Sequence, residues 1–313
     1  MDGMLKLFAG NANRPLAEAI AEYLGRPLGK ALIGRFANGE VRVHIDENVR
    51  GNDVFVIQPT CHPVNENLME LLVTIDALKR ASAARVTAVV PYYGYAKQEK
   101  KTTGREPITA KLVADLITVA GANRLLTMDL HSPAIEGFFN IPVDHLRAAN
   151  VLAARVRAMR LDRNTVVVSP DAGGTRRANE FRQRIGASLA MILKQRPGPD
   201  VAETVEMVGD VCGKTAILVD DMVITGGTLV EAAEMVLERG AKEVYACVTH
   251  AAFTPEGLAL LERSPIRQCI VTDTVPIEPG AAGGKIVVAS VAPLLAEAII
   301  RIHENRSVSE LFT

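Results

Sequence analysis

Short unbroken apolar runs and stretches with apolar residues at helical spacing take turns along the whole chain, which is the signature of strands alternating with amphipathic helices. Such alternation predicts parallel sheets flanked by helices on both faces. Lys6 to Ala9 reads as the first strand; Asn13 caps the helix that follows, with Pro15 in its first turn and Gly25 at its end. Three later segments share one plan. Leu68 to Val90 runs as a helix, the small-residue turn Ala81-Ser82-Ala83-Ala84 and the strand Val86 to Val90. Ala110 to Met128 and Leu229 to Val248 repeat it around Gly121-Ala122 and Gly240-Ala241, glycines placed as helix C-caps. Because the plan occurs in both halves, the pattern predicts two related α/β domains, residues 1–148 and 149–313, with the boundary near Leu146 to Ala154.

The stretch from Thr215 to Thr228, TAILVDDMVITGGT, carries the most chemistry. Ala216 to Val219 reads as a strand buried on both faces, and ligands gather at the carboxyl ends of such strands. Thr225, Gly226, Gly227 and Thr228 then form a small-residue turn before a helix from Leu229 to Arg239, so backbone N–H groups and the helix dipole converge where an anion can sit. Asp220 and Asp221 cannot share that phosphate without repulsion; they suit vicinal hydroxyls or a cation at the other end of the ligand. Phosphate at one end and diol at the other describes a pentose phosphate. No Lys follows the glycines, which excludes a Walker-type loop, and Gly280 to Lys285 (GAAGGK) has the wrong spacing and reads as a surface turn.

Other strand ends are also polar. Leu125 to Met128 leads into Asp129-Leu130-His131-Ser132, and Val166 to Val168 into Ser169-Pro170-Asp171-Ala172-Gly173-Gly174. Strand alternation puts Asp129 and His131 on one side, where with Asp171 they could hold Mg²⁺, largely through water. Leu189 to Leu193 leads into Lys194-Gln195-Arg196, whose two cations share a face and suit a transferring phosphoryl group. His44, His62, His145, His250 and His303 read as hydrogen-bonded structural residues. Tyr92 to Glu106, YYGYAKQEKKTTGRE, is expected to be a mobile loop serving as a nucleotide lid or subunit contact.

Composition narrows the partners. A formal net charge of −1 with 23% charged residues leaves no electrostatic footprint for nucleic acid or anionic membrane. Cys61, Cys212, Cys247 and Cys269 form no C-x-x-C pair, which argues against a disulfide framework and a structural zinc site. The sequence shows no signal-peptide pattern and no apolar run of the ~18 residues a membrane helix needs. A cytoplasmic protein acting on small molecules is expected.

The segments NGEVRVHIDENVRG (38–51), PVNENLMELL (63–72), YGYAKQEKK with REPITAKL (93–112), DLHSPAIEGFFNIPVDHL (129–146), VVSPDAGG (167–174), VDDMVITGGT (219–228) and SVSELF (307–312), with Lys194 and Arg196, resemble the bacterial-type ribose-phosphate pyrophosphokinases. The resemblance implies two phosphoribosyltransferase-like domains, each a mainly parallel sheet flanked by helices. It also implies transfer of the β,γ-diphosphoryl group of MgATP to the 1-hydroxyl of ribose 5-phosphate, with AMP released. By that likeness Phe36, Asn38, Gly39 and Glu40 serve the adenine site from a neighbouring subunit and Lys97 with Gln98 contacts ATP. His131, Asp171 and Asp129 attend Mg²⁺, and Lys194 and Arg196 serve the transition state, Arg196 also the sugar. Asp220, Asp221 and Ile224 to Thr228 hold ribose 5-phosphate, and Ser307 and Ser309 match positions implicated in allostery by inorganic phosphate and ADP in a homo-oligomer, commonly a hexamer. Ile224, Lys97 and Ala172 stand where the family usually carries Asp, Arg and His. Two other readings stand beside it: a catalytically silent regulatory paralogue, which those three departures favour, and a phosphoribosyltransferase, which would leave the lid and the Asp129/His131 pair without a role. Assaying AMP release separates the three.

Overall fold

The computed structural model describes residues 3–161, 164–195 and 204–312. The chain forms two compact units. One runs to Arg147 and includes Thr274–Pro276 and the chain from Val291 onward; the other comprises Ala148–Asp273 and Ile277–Ser290.

The first unit opens with β1 (Leu5–Ala9) and α1 (Arg14–Tyr23). Asn13 Oδ1 accepts from the Leu16 N–H at 3.3 Å, and the helix buries Leu16, Ala17, Ile20 and Ala21. A separate antiparallel hairpin of β2 (Ala31–Arg35) and β3 (Val41–Ile45) comes next. Then follow β4 (Asp53–Ile57), α2 (Val64–Arg80), β5 (Arg85–Val90), α3 (Thr109–Ala120), β6 (Arg124–Met128) and β7 (Val143–Leu146). The main sheet has the order β1-β4-β5-β6-β7, parallel throughout. Every residue of β4 is buried, as expected of a strand covered on both faces. At the turn after α2 a left-handed conformation falls to Ser82 (φ 66°), where the equivalent turn after α3 uses Gly121 (φ 120°).

The second unit contains α4 (Ala149–Ala158), β8 (Thr165–Ser169), α5 (Thr175–Ile185), β9 (Ser188–Gln195), β10 (Thr204–Val208), β11 (Thr215–Val223), α6 (Gly227–Glu238), β12 (Glu243–Ala251), α7 (Pro255–Arg263), β13 (Ile266–Thr272) and β14 (Ile286–Ala289). Its sheet has the order β10-β9-β8-β11-β12-β13-β14, parallel except for β10 on β9. Val166, Val168, Leu218, Val236, Val248 and Leu261 belong to the core between this sheet and its helices.

The last helix, α8 (Ala292–His303), returns to the first unit. This corrects the expectation that the second domain continues to Thr313. Amphipathic spacing shows that a helix has an apolar face but not which sheet that face covers. Here Leu295, Ile299 and Ile302 are buried, α8 packs on α1, and its end is pinned from below. Arg85 Nη2 donates to the Ile302 carbonyl at 3.0 Å, and His303 Nδ1 lies 2.9 Å from the fully buried Asp53, which also binds Arg85.

Candidate active site

In the second unit the chain leaves β8 toward β9 on one side and leaves β11 toward β12 on the other. Neighbouring parallel strands whose connections diverge open a crevice at their carboxyl ends. The sequence places Ser169 to Gly174 at one lip and Asp220 to Thr228 at the other. β11 is longer than expected, reaching Val223, so both carboxylates lie within the strand.

Arg177, on α5, joins the two lips. Its Nη1 is 2.9 Å from Asp220 Oδ1 and its Nη2 is 3.2 Å from Asp221 Oδ1. Asp221 is buried, whereas about a quarter of the Asp220 side chain is open. Burial, followed by the adjacent Asp221 carboxyl, pushes Asp220 up from 3.8 to about 7, and Arg177 opposes the rise. Sequence reasoning missed Arg177. A signal was present: a cation in the first turn of a helix works against the helix dipole and needs a reason to be there.

Beyond β11, Gly226 adopts a left-handed conformation (φ 77°) at the start of α6, and no side chain caps that helix. Thr225 and Thr228 are exposed, and the space beside Gly227 is open. The start of α6 therefore has no side-chain acceptor for its first N–H groups, which suits an anion. The turn is held from beneath: the Ile224 carbonyl accepts from Thr254 N at 3.0 Å, and Thr254 Oγ1 caps α7 by accepting from Gly257 N at 3.1 Å. A Cβ on Gly257 would sit 2.5 Å from the Ile224 carbonyl oxygen, so only glycine lets α7 approach the turn this closely.

On the opposite lip Asp171 is exposed, and its Oδ1 accepts from Gly174 N at 2.8 Å, while Ser169 Oγ donates to the Asp171 carbonyl at 2.7 Å. Lys194 lies on β9, next to β8, opposite Val205. Arg196 lies outside the described residues.

In the first unit β6 ends at Met128, and Asp129 turns into positive φ (38°). Strand alternation therefore does not extend from Asp129 to His131, which corrects the argument that put both on one side. Asp129 is nearly buried and 3.7 Å from Arg147 Nη1; His131 is partly buried. His145 has the structural role expected of it: Nε2 accepts from Leu130 N at 2.7 Å, Nδ1 contacts Glu136, and burial holds its pKa down.

The hairpin tip is exposed from Phe36 to Glu40. Gly39 (φ 91°) makes the turn, Glu40 N donates to Asn38 Oδ1 at 3.2 Å, and the Arg42 guanidinium lies 5.6 Å from the Phe36 ring centre. The stretch expected to be a mobile loop from Tyr92 is anchored at its start. Tyr92, Tyr93 and Ala96 are buried, the Tyr93 hydroxyl donates to the Ala110 carbonyl at 2.9 Å, and Gly94 N donates to Thr60 Oγ1. Lys97 and Gln98 are exposed, and Gln98 Oε1 accepts from Thr109 Oγ1 at 2.5 Å. Ser307 and Ser309 are exposed; Arg301 Nη1 donates to the Ser307 carbonyl at 2.9 Å. The segment Ala281–Gly284 is a short 3₁₀ turn, and Lys285 Nζ is engaged by the Ser264 carbonyl at 2.7 Å.

Among the described residues no group of three or more His, Cys, Asp or Glu side chains is arranged to hold a metal ion, and no helix is long and apolar enough to cross a membrane.

A family model of the N-terminal domain of ribose phosphate pyrophosphokinase matches residues 5–121, and one of the phosphoribosyl synthetase-associated domain matches residues 194–313. The ribose-phosphate pyrophosphokinase of Caldanaerobacter subterraneus subsp. tengcongensis is 56% identical over 309 residues, 99% of this chain and 98% of that protein. The chain belongs to the ribose-phosphate pyrophosphokinase family. The pyrophosphokinase of Clostridium tetani is 53% identical over 98% of the chain. The crystal structure of the Mycobacterium smegmatis phosphoribosylpyrophosphate synthetase superposes with a TM-score of 0.91 at 45% identity, covering 96% of this chain and 99% of that one. Membership of this pyrophosphokinase family spans both units and includes the hairpin, the turn after β11 and α8.

Proposed function

We propose that the protein transfers the β,γ-diphosphoryl group of MgATP to the 1-hydroxyl of ribose 5-phosphate, forming phosphoribosyl pyrophosphate and AMP. The observation that carries this reading is the turn after β11, where an uncapped helix start suits the 5-phosphate and Asp220 offers an open carboxylate to the sugar hydroxyls. Near-full-length identity to proteins named for this reaction supports it.

In the step itself the 1-hydroxyl oxygen bonds to the β-phosphorus, the bond from that phosphorus to the AMP oxygen breaks, and the hydroxyl proton leaves to solvent. Such a transfer asks the protein for alignment and charge rather than covalent chemistry. Thr225 to Thr228 fix the phosphate, Asp220 orients the ring through its hydroxyls, and Asp221 with Arg177 sets the direction and charge of Asp220. Lys194 and Arg196 stabilise the charge on the transferring group. Phe36, Asn38, Gly39 and Glu40 take the adenine, Phe36 by stacking its exposed face, and Lys97 with Gln98 takes the phosphates. Mg²⁺ bound to the nucleotide would supply charge neutralisation at the phosphate oxygens. Asp129 and His131 in the first unit and Asp171 in the second would offer donors to that ion, largely through its water.

Ile224 is compatible with activity because the bond that holds the turn from beneath, Thr254 N to its carbonyl, is a backbone bond that needs no acidic side chain. The protein acts in the cytoplasm as a homo-oligomer, a hexamer by family likeness, in which a neighbouring subunit uses the exposed hairpin tip. Inorganic phosphate and ADP act as effectors near Ser307 and Ser309.

The test is AMP formation by purified protein from ATP, Mg²⁺ and ribose 5-phosphate, with and without inorganic phosphate. AMP that depends on the sugar is expected. Its absence under both conditions, with AMP appearing only in an Ile224→Asp variant, would overturn the reading in favour of a silent paralogue.

A further inference from the structure

Glu70 sits on α2 with only 2% of its surface exposed, and its carboxylate is bonded by amides. Oε1 accepts from Asn11 N at 2.7 Å and Gln58 Nε2 at 2.8 Å; Oε2 accepts from Asn11 Nδ2 at 2.9 Å. A buried carboxylate is costly unless fully hydrogen-bonded, and an apolar side chain of similar size would fill that face without the cost. The network around it is closely specified. Gln58 Oε1 accepts from Ala12 N at 3.0 Å, and a Cβ on Gly10 would lie 2.2 Å from that oxygen.

The Asn11 amide carries the connection outward: its Nδ2 also donates to the Ile33 carbonyl, in the middle of β2, at 3.2 Å. Antiparallel ladders alternate hydrogen-bonded and non-bonded pairs. Lys30 with Asp46 and Phe36 with Glu40 are hydrogen-bonded pairs, which makes Ile33 and Val43 a non-bonded one and turns the Ile33 carbonyl away from β3, toward Asn11. One turn earlier on the same face of α2, Glu66 binds Arg35 Nη2 at 2.8 Å. Besides the packing of β3 on α2, the hairpin thus has two polar ties to one face of that helix. It needs such ties, because two strands alone make a marginal structure and neither strand is fully buried. The Arg35–Glu66 pair is largely exposed and correspondingly weak; the Asn11–Ile33 bond is exposed as well, but Asn11 is held from its other side by the buried Glu70 carboxylate.

We propose that Glu70, acting through Asn11, is a positioning residue for nucleotide binding: it fixes the orientation in which the hairpin presents Phe36 to Glu40 to ATP. This rests on the assignment of that tip to the adenine site. Glu70 touches no substrate, and its influence reaches the tip through Ile33, three residues before Phe36.

The experiment compares wild type, Glu70→Gln and Asn11→Ser as full-length protein. Asn11→Ser keeps the backbone N–H on Glu70 and removes Nδ2, with its bonds to Glu70 Oε2 and to the Ile33 carbonyl. AMP formation is measured with each substrate varied separately, ATP binding by calorimetry and folding by thermal unfolding. KM for ATP is expected to rise about tenfold in Glu70→Gln and several-fold in Asn11→Ser, with KM for ribose 5-phosphate changed by less than about twofold. A folded Asn11→Ser with unchanged constants, or with both constants raised by one factor, overturns the proposal. If Glu70→Gln does not fold, Asn11→Ser decides. Wild type that makes no AMP ends the functional reading, and the calorimetry still judges the hairpin: weaker ATP binding in Asn11→Ser supports the role and equal binding overturns it.

Discussion

Replacing Arg177 by Met keeps an unbranched stem and removes the guanidinium that lies 2.9 Å from Asp220 and 3.2 Å from Asp221. At an effective dielectric of about 20, two unit charges ~4 Å apart interact by ~4 kcal/mol, so two lost attractions would be severe if both carboxylates stayed ionised. Asp220 has a way out. It already sits at about 7 through burial and its neighbour, and without Arg177 it moves higher and takes up a proton. The cost then falls to that of the lost charge-assisted hydrogen bonds, ~2 to 3 kcal/mol, or a drop of ~4 to 10 °C in the unfolding midpoint for a unit of this size. The pH dependence identifies the mechanism. A carboxyl group raised by folding keeps a proton that the unfolded chain releases, so between about 4 and about 7 the fold loses stability as pH rises, and above the folded value the loss stops. In the variant that upper limit moves above 7. The deficit against wild type should therefore widen by ~1 kcal/mol between pH 6 and pH 8. Calorimetric unfolding at pH 6, 7 and 8 measures it, and a deficit that is constant or shrinks toward pH 8 would refute the reasoning.

Four further outcomes are expected. Gly257→Ala pushes a Cβ against the Ile224 carbonyl, 2.5 Å away, and should raise KM for ribose 5-phosphate severalfold while leaving KM for ATP alone; steady-state kinetics showing both unchanged would remove α7 as the support of the turn. KM for ribose 5-phosphate should climb as pH falls below about 7, by up to ~tenfold per unit, as Asp220 loses its charge, and a flat profile would count against its contact with the sugar. Asp53→Asn leaves Arg85 and His303 without their buried carboxylate and should destabilise the first unit by ~3 kcal/mol in urea titration; a change below ~1 kcal/mol would contradict the tie to α8. Lys194→Ala should lower turnover by about two orders of magnitude or more with little change in KM for ribose 5-phosphate, and equal changes in both would argue against a transition-state role.

Features written in neighbouring residues could be read from the sequence. The cap at Asn13, the strand-turn-helix from Thr215 onward and the repeated helix-turn-strand plan depend on local spacing and appear as expected, even where Ser82 replaces the glycine of the other turns. Contacts between distant segments could not. Arg177 meets Asp220 across 43 residues, Asn11 meets Ile33 and Glu70 across 22 and 59, and Asp53 meets His303 across 250; no periodicity encodes such pairings. The hairpin escaped for another reason. Val41 to Ile45 alternates as a half-exposed strand should but lies inside a segment taken whole as a family motif, and Ala31 to Arg35 does not alternate. Tyr92 and Tyr93 looked like loop residues beside a basic stretch, yet their rings are buried and the Tyr93 ring meets Phe139 edge to face at 5.9 Å.

The return of α8 to the first unit makes that unit discontinuous in the chain, and this sets a schedule for its assembly. On the ribosome the strands β1 and β4 to β7 emerge early, but α1 meets α8, and Asp53 meets His303, only after the entire second unit has been synthesised. The second unit, nearly contiguous, can close while the first still waits with the α8-facing side of α1 uncovered. A fragment ending at Arg147 would remain in that waiting state, whereas one with residues 291–313 fused behind a linker should mature. The order in which the two units become protected from exchange during synthesis is therefore expected to be the reverse of their order in the sequence.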